Sequence, residues 1–260
     1  MSTQAQLQAI YRYPVKGLSA EALGGTRLGP GLTIAADRRY AIANGPSGFD
    51  PAAPAYFPKI RFLMLMRNER LARLHTRYDD ASHVLTIREG GAEVAQGNLT
   101  TAEGRAAIEQ FFATFSADEL RGPPRVLQAP GHSFSDVARK VVSIINLASV
   151  AAVETAVGKP VHPVRFRGNL YLQGWPAWHE FDLVGQEIAI GAAARLKVVK
   201  RIERCAATNV DPDTGMRDLA IPRTLAQTFG HTDCGVYAEV VAGGEIAVGD
   251  AVTAAQPQLL

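Results

Sequence analysis

Turn-forming residues cut most of this chain into pieces too short for long helices. Gly24, Gly25, Gly29 and Gly31 crowd one short stretch, and NGPSGFDPAAP at 44–54 adds two glycines and three prolines. At that density glycine and proline interrupt any periodic element every few residues. The runs between the breaks are short and β-rich: LQAIYRYPVK (7–16), LTIAADRRYAIA (32–43, one or two strands), LARLHTRYD (71–79) and HVLTIREGG (83–91). FLMLM at 62–66 reads either as a buried strand or as a short buried helix, because periodicity does not separate the two. About five or six short strands in some 90 residues favour an antiparallel sheet or barrel.

The middle of the chain changes character. TAEGRAAIEQFFATF (101–115) places Ala, Ile and Phe at helical spacing, with Thr101 as N-cap and Glu103 in the first turn. NLASVAAVETAV (146–157) reads as a second helix, capped by Asn146 and stopped at Gly158. After Pro160 short strands return in FRGNLYL, EIAIG, RLKVVKRI, VYAEVV and EIAVGD, and AIPRTLAQTFG (220–230) reads as a short helix ending at Gly230. The expected class is mainly β with a few helices, α+β. The expected division is an N-terminal β-rich lobe at 1–95 and a second domain at 96–255.

Apolar residues make up 47% and charged residues 20% of the 260, ordinary values for a globular chain. No apolar run reaches the length of a transmembrane helix, and MSTQAQLQAI lacks a basic, apolar leader. The expectation is a cytoplasmic protein without membrane contact. Two cysteines form neither a disulfide framework nor a zinc-ligand pattern. The formal charge of +2 hides an asymmetry: 11 Lys/Arg against 4 Asp/Glu in residues 1–77, and 16 against 21 in the rest. A basic N-terminal part suits a phosphorylated ligand, and serves equally as a solvated face complementing the acidic half. The basic residues are dispersed and have no array of aromatic platforms, so nucleic acid is not expected.

Cys205 is the leading chemical candidate. It follows the strand-like RLKVVKRI and opens RCAATNVDPDTG, where Asp211 and Asp213 can cap backbone amides around Pro212 and Gly215. A thiolate there can bind a soft metal or attack an electrophile, and Arg204 beside it favours the charged form. A buried structural cysteine is the plainer alternative. Cys234, ahead of GVYAEVV, reads as packing. If RFRGN (165–169) is a strand, Arg165, Arg167 and Asn169 share one face, a face costly to bury without an anionic or polar ligand. In YPVKG (13–17), Lys16 followed by Gly17 suits a phosphate held by an amine and an exposed amide. Glu180 and Asp182 would share a face on an extended segment, though a salt-bridging or capping role is the simpler reading. Zinc-hydrolase histidine spacings, a GxSxG elbow and a GxxxxGK[ST] loop are absent.

YPVKG, ADRRY (36–40), SIINLASV (143–150), RFRGN, RCAATNVDPDTG, CGVYAEV (234–240) and IAVGD (246–250), in that order, resemble the MOSC superfamily, proteins that share the C-terminal domain of molybdenum cofactor sulfurases. The resemblance covers nearly the whole chain and is strongest from Ser135 onward. It implies a β-barrel core and a molybdenum cofactor (Mo-molybdopterin). It also implies Cys205 as the metal ligand, and Lys16, Gly17, Arg38, Arg165, Arg167 and Asn169 at the pterin and its phosphate. Asn146, Ser149, Asp211 and Tyr237 complete the candidate set; cap and core-hydroxyl work is the plainer reading of Asn146 and Ser149. Pyridoxal phosphate binding is a second association carried by the resemblance. Some members reduce amidoximes, which implies an oxidoreductase of N-hydroxylated or related small substrates. Electrons would come from a separate donor protein, since no flavin, haem or iron–sulfur motif is present. A non-catalytic carrier of the cofactor or of persulfide sulfur is the alternative. The segment GFDPAAPAYFPKIR departs from the family's wording in the N-terminal lobe.

Overall fold

The computed structural model describes residues 4–254. Its strands are β1 (Gln4–Arg12), β2 (Glu21–Leu23), β3 (Gly25–Leu28), β4 (Ala41–Ala43), β5 (Leu74–Tyr78), β6 (Val84–Glu89), β7 (Ala92–Asn98), β8 (Arg125–Leu127), β9 (Val142–Asn146), β10 (Leu170–Gln173), β11 (Glu187–Ile190), β12 (Ala194–Glu203), β13 (Asp233–Ala242), β14 (Gly244–Ala247) and β15 (Ala251–Ala254). The helices are α1 (Ala102–Phe115), α2 (Leu147–Val157), α3 (His179–Asp182) and α4 (Ile221–Phe229).

Seven strands close a barrel in the order β1-β10-β9-β13-β12-β11-β15 and back to β1, with β2 added alongside β1. Closure leaves no exposed edge in the ring. Every pairing is antiparallel except β9–β10, and α2 supplies the crossover that a parallel pair needs. Inward positions alternate along each strand. Leu7, Ile144, Leu172, Ile188, Leu196, Val198 and Val252 are all fully or almost fully buried in the barrel core. The fold is thus α+β with the barrel that the resemblance implied.

The smaller lobe is a β5-β6-β7 meander with α1 laid across it and a short β4–β8 pair beside it. Its core joins Leu85 and Ile87 of β6 to Ile108 and Phe112 of α1. The packing divides the chain differently from a cut at residue 95: α1 belongs with the small lobe, and β1 belongs to the barrel. Gly97 and Gly104 permit this docking, since a Cβ on Gly97 would sit 2.2 Å from the Gly104 carbonyl oxygen.

The helix ends follow the local signals. Thr101 accepts from the Gly104 amide, Asn146 accepts from Ala148, and Gly158 and Gly230 end α2 and α4 in left-handed conformations. Four segments besides RFRGN differ from the sequence reading. In 32–43 only Ala41–Ala43 is strand, because Ile34–Arg39 turns. Phe62–Met66 forms a bridge and a turn rather than either regular element. Residues Glu69–Arg73 form a 3-10 helix before β5, and Glu180 and Asp182 sit on the single turn of α3.

Candidate functional site

The site lies where the barrel meets the small lobe. β12 leads into it through a register shift between Val198 and Lys200, after which Lys200 pairs with Tyr237 of β13. A shift of this kind re-aims the side chains that follow it. β12 ends at Glu203, and Cys205 then stands immediately before a 3-10 turn at Ala206–Asn209. The Thr208 hydroxyl and amide both donate to the Cys205 carbonyl, at 2.9 and 3.1 Å, which fixes the backbone behind the thiol.

Cys205 opens into a cavity of about 400 Å3 that also takes in Lys16, Gly17, Arg38, Arg165, Arg167, Asn169 and Tyr237. Its lining holds eight lysines and arginines against four carboxylates, so the chamber is cationic. Among the lining residues that sequence did not single out, three stand beside Lys16, Arg38 and Cys205. Asp136 pairs with Lys16, Lys59 lines the same cavity as Cys205, and Asp37 bonds Arg38 at 2.6 Å. Asp136 sits inside the region of strongest resemblance, and Lys59 lies on the divergent 44–61 loop, but neither has a local signature.

Lys16 is buried and donates to both Asp136 and the Phe134 carbonyl, the latter at 2.9 Å. Burial pushes its amine down, and Asp136 opposes that shift. Burial alone would raise the Asp136 carboxyl, but Lys16, Arg38 and Lys59 override it and hold the group well below the usual carboxylate range. Burial likewise works against Lys59, yet its interactions with Cys205 and Asp136 leave its amine raised. Gly17 has φ +86°, and a Cβ there would lie 2.8 Å from the Leu63 carbonyl oxygen.

RFRGN is not a strand. Pro163–Phe166 is a 3-10 turn capped by the His162 ring nitrogen, and Arg167 follows in a left-handed conformation at φ 51°. The three polar residues therefore do different work. Arg165 is buried and clamps the cysteine loop, reaching Asp211 and Asp218 at 2.9 Å and the Asn209 carbonyl at 3.2 Å. Asn169 spends its amide on the barrel seam, accepting from the Ser143 hydroxyl at 2.8 Å and donating to the Tyr11 carbonyl at 3.1 Å. Arg167 stacks on Tyr13 with its guanidinium carbon 4.3 Å from the ring centroid, and Arg38 stacks on the same ring at 4.7 Å. Arg38 also has φ 51°, and one of its nitrogens donates to the Arg167 carbonyl at 3.1 Å. Left-handed backbone at a residue with a long side chain is costly, and such strain collects where a site must be held in one shape. Among the described residues, the guanidinium of Arg167 has no hydrogen-bond or ion-pair partner. Burial and the nearby Arg38 lower its pKa, with Tyr13 opposing.

Three candidates lie outside the chamber. Asn146 and Ser149 are fully buried and both bond Glu180 Oε2 at 2.9 Å, while Ser149 also accepts from the Trp178 amide. They brace α2 against α3 and do not face the cavity. Asp211 holds Arg165 and caps Asp213 and Thr214. Arg204 donates to the Cys234 and Phe166 carbonyls and is not directed at Cys205. Cys234 is fully buried, and burial pushes its thiol up to about 12.

Two family models match in tandem: the MOSC N-terminal beta barrel domain over residues 4–121 and the MOSC domain over residues 129–253. The chain belongs to the MOSC superfamily. A relative of this MOSC protein is the mitochondrial amidoxime reducing component 2 of Bos taurus, 31% identical over 123 residues, which cover 43% of this chain and 36% of that one. The chain thus aligns with about a third of that relative's length. Among solved structures, the YuaD protein of Bacillus subtilis superposes at a TM-score of 0.46 with 12% identity, covering 98% of this chain and 99% of its own. YiiM of Geobacillus stearothermophilus gives 0.36 and 19%, over 45% of this chain and 55% of its own.

The donor set of the MOSC chamber suits an anionic cofactor that brings most of its own metal ligands. It offers one thiol, a guanidinium free of hydrogen bonds and ion pairs among the described residues, and a cationic excess. Among the described residues there is no group of three or more His, Cys, Asp and Glu that could hold a metal ion alone. Also among them, no helix is long and apolar enough to cross a membrane.

Proposed function

We propose that this chain binds a molybdenum cofactor and acts as an oxidoreductase on N-hydroxylated or related small molecules. The observation that carries the reading is Cys205 opening into a cationic chamber beside the unpartnered guanidinium of Arg167. The amidoxime chemistry named for the bovine relative motivates the substrate class. Cys205 would be the protein's ligand to the metal, as soft thiolate ligands suit such a site. Lys16, Arg38 and Arg167 would hold the cofactor's phosphate and ring, and Gly17 lines the same cavity. Arg165 and Asn169 act through the scaffold: one locks the cysteine loop and the other locks the barrel seam. When bound, the cofactor supplies a two-electron change that converts N–OH, with two protons, to N–H and water. The two electrons come from a separate donor protein. Nothing in the donor set singles out pyridoxal phosphate.

Elemental analysis and turnover on one preparation test the proposal. The chain is produced in a host that makes the cofactor, alongside Cys205→Ser, and each is assayed with an amidoxime and a chemically reduced dye. Stoichiometric molybdenum in the wild type and reduction lost in Cys205→Ser are expected. Molybdenum without reduction would favour the carrier reading, and wild-type protein free of molybdenum would overturn both.

A further inference from the structure

A second cavity of about 190 Å3 adjoins the first. Its walls are Leu18, Leu65, Ala72, Val164, Val210 and Pro212, contributed by the Lys16 loop, the small lobe, the Arg167 turn and the cysteine loop. The polar groups at its edge are largely committed. Ser19 Oγ bonds the Thr76 amide at 2.7 Å and the Thr76 hydroxyl at 2.9 Å, and His162 Nδ1 accepts from the Val164 amide. An apolar space of about 150 Å3 is enough for a benzene ring. The two cavities share Gly17, Arg165, Arg167, Leu65 and Ala207. Arg165 is held in two ion pairs by Asp211 and Asp218, whereas Arg167 stands at the junction stacked on Tyr13, with no hydrogen bond or ion pair on its guanidinium among the described residues.

We infer that the two cavities form one composite site: the smaller one is an annex for a compact, uncharged group of about one aromatic ring, carried on a ligand whose anionic end meets Arg167 in the cofactor-free chamber. This rests on the cationic chamber of the proposed function and adds a selectivity for what the anion carries. An apolar group without an anchor is poorly held in so small a space, and an anion without an apolar tail gains nothing from the annex. A ligand with both ends removes apolar area from water and satisfies the junction arginine.

The test compares phenylphosphonate with methylphosphonate, which present the same head, by calorimetry on the full chain produced without cofactor. Wild-type protein is expected to bind the phenyl compound roughly tenfold or more tighter. Ala20→Phe, at a half-buried loop position lining the annex, should fill the space and erase the difference while leaving methylphosphonate affinity unchanged. Val164→Phe fills the same space from the opposite loop and serves if the first variant folds poorly. Equal affinity of wild type for the two ligands overturns the annex alone. A phenyl preference that survives in the filled variants places the ring elsewhere and overturns it too. If neither phosphonate binds, both the annex and the anion-holding chamber are rejected. Molybdenum loading does not enter the measurement, so its failure is separately readable.

Discussion

Lys16 and Asp136 form an ion pair in which the lysine is almost wholly enclosed and the carboxylate is half exposed, at 6% and 48% side-chain exposure. Asp136 therefore occupies the place an anionic ligand would take at the lysine. Removing the carboxylate leaves a buried cation without its counter-charge, which is usually far more damaging than losing a surface pair. Because one partner is half in water, the expected loss for Asp136→Asn is about 1–3 kcal/mol in chemical denaturation. Pyrophosphate should raise the melting temperature of the variant more than that of the wild type. An equal or smaller rise would show that Asp136 and the ligand do not compete.

The same pair sets an acid limit. Asp136 has its folded pKa depressed, so its contribution is present above the unfolded carboxylate value of about 4 and is lost as pH falls below it toward the folded value. Stability of the wild type should therefore decline between about pH 5 and pH 2, and Asp136→Asn should show a shallower decline. Parallel curves for the two proteins would remove Asp136 from the account.

Arg165 and Arg167, two positions apart, should fail in opposite ways. Arg165→Ala strands Asp211 and Asp218 and frees the cysteine loop, at an expected cost of about 2–4 kcal/mol with faster proteolysis within 206–218. Arg167→Ala removes a side chain with no ion-pair partner, so stability should shift by no more than about 0.5–1 kcal/mol while phosphonate binding is lost. Asn169→Ala should cost about 2–3 kcal/mol and leave anion affinity intact, since its amide is spent on Ser143 and Tyr11. The reverse pattern, stable Arg165→Ala and Asn169→Ala with unfolded Arg167→Ala, would contradict these assignments.

The two thiols should differ sharply toward an alkylating agent in cofactor-free protein. Cys234 is enclosed, and with its thiol at about 12 only about one molecule in ten thousand carries a thiolate at pH 8. Cys205 is half-buried and opens to the chamber. Peptide mapping after brief exposure should find label on Cys205 alone, and first labelling at Cys234 would reverse the reading.

The helix ends were legible in the sequence because each rests on a signal a few residues long: Thr101 with Gly104, Asn146 with Ala148, Gly158 and Gly230 past their last turns. Cys205 at a strand-to-turn junction was legible for the same reason. RFRGN misled because alternation implies one face only if the backbone is extended, and a 3-10 turn followed by a left-handed arginine sends each side chain elsewhere. Asn146, Ser149 and Glu180 form a buried polar knot whose members are more than thirty residues apart at the extremes, and spacing carries no trace of it. Asp136 and Lys59 reach the chamber only through the approach of the two lobes. An acid and a lysine without local pattern read as surface residues until that approach is known.

Barrel closure has a consequence for how the chain reaches its native state. β1 is made first, yet its neighbours β10 and β15 are made much later, the last of them ending at Ala254. At a synthesis rate of roughly 5–20 residues per second, this strand waits on the order of 10–50 s before its ring can shut. During that interval only its Ile10–Arg12 end can pair, with the adjacent β2, while the edges that β10 and β15 will take stay open, and the slowest event in folding should be the docking of an N-terminal strand into a nearly finished barrel. Substitutions that blunt the edge of β1 would then alter yield on the ribosome far more than they alter the melting temperature of the finished protein.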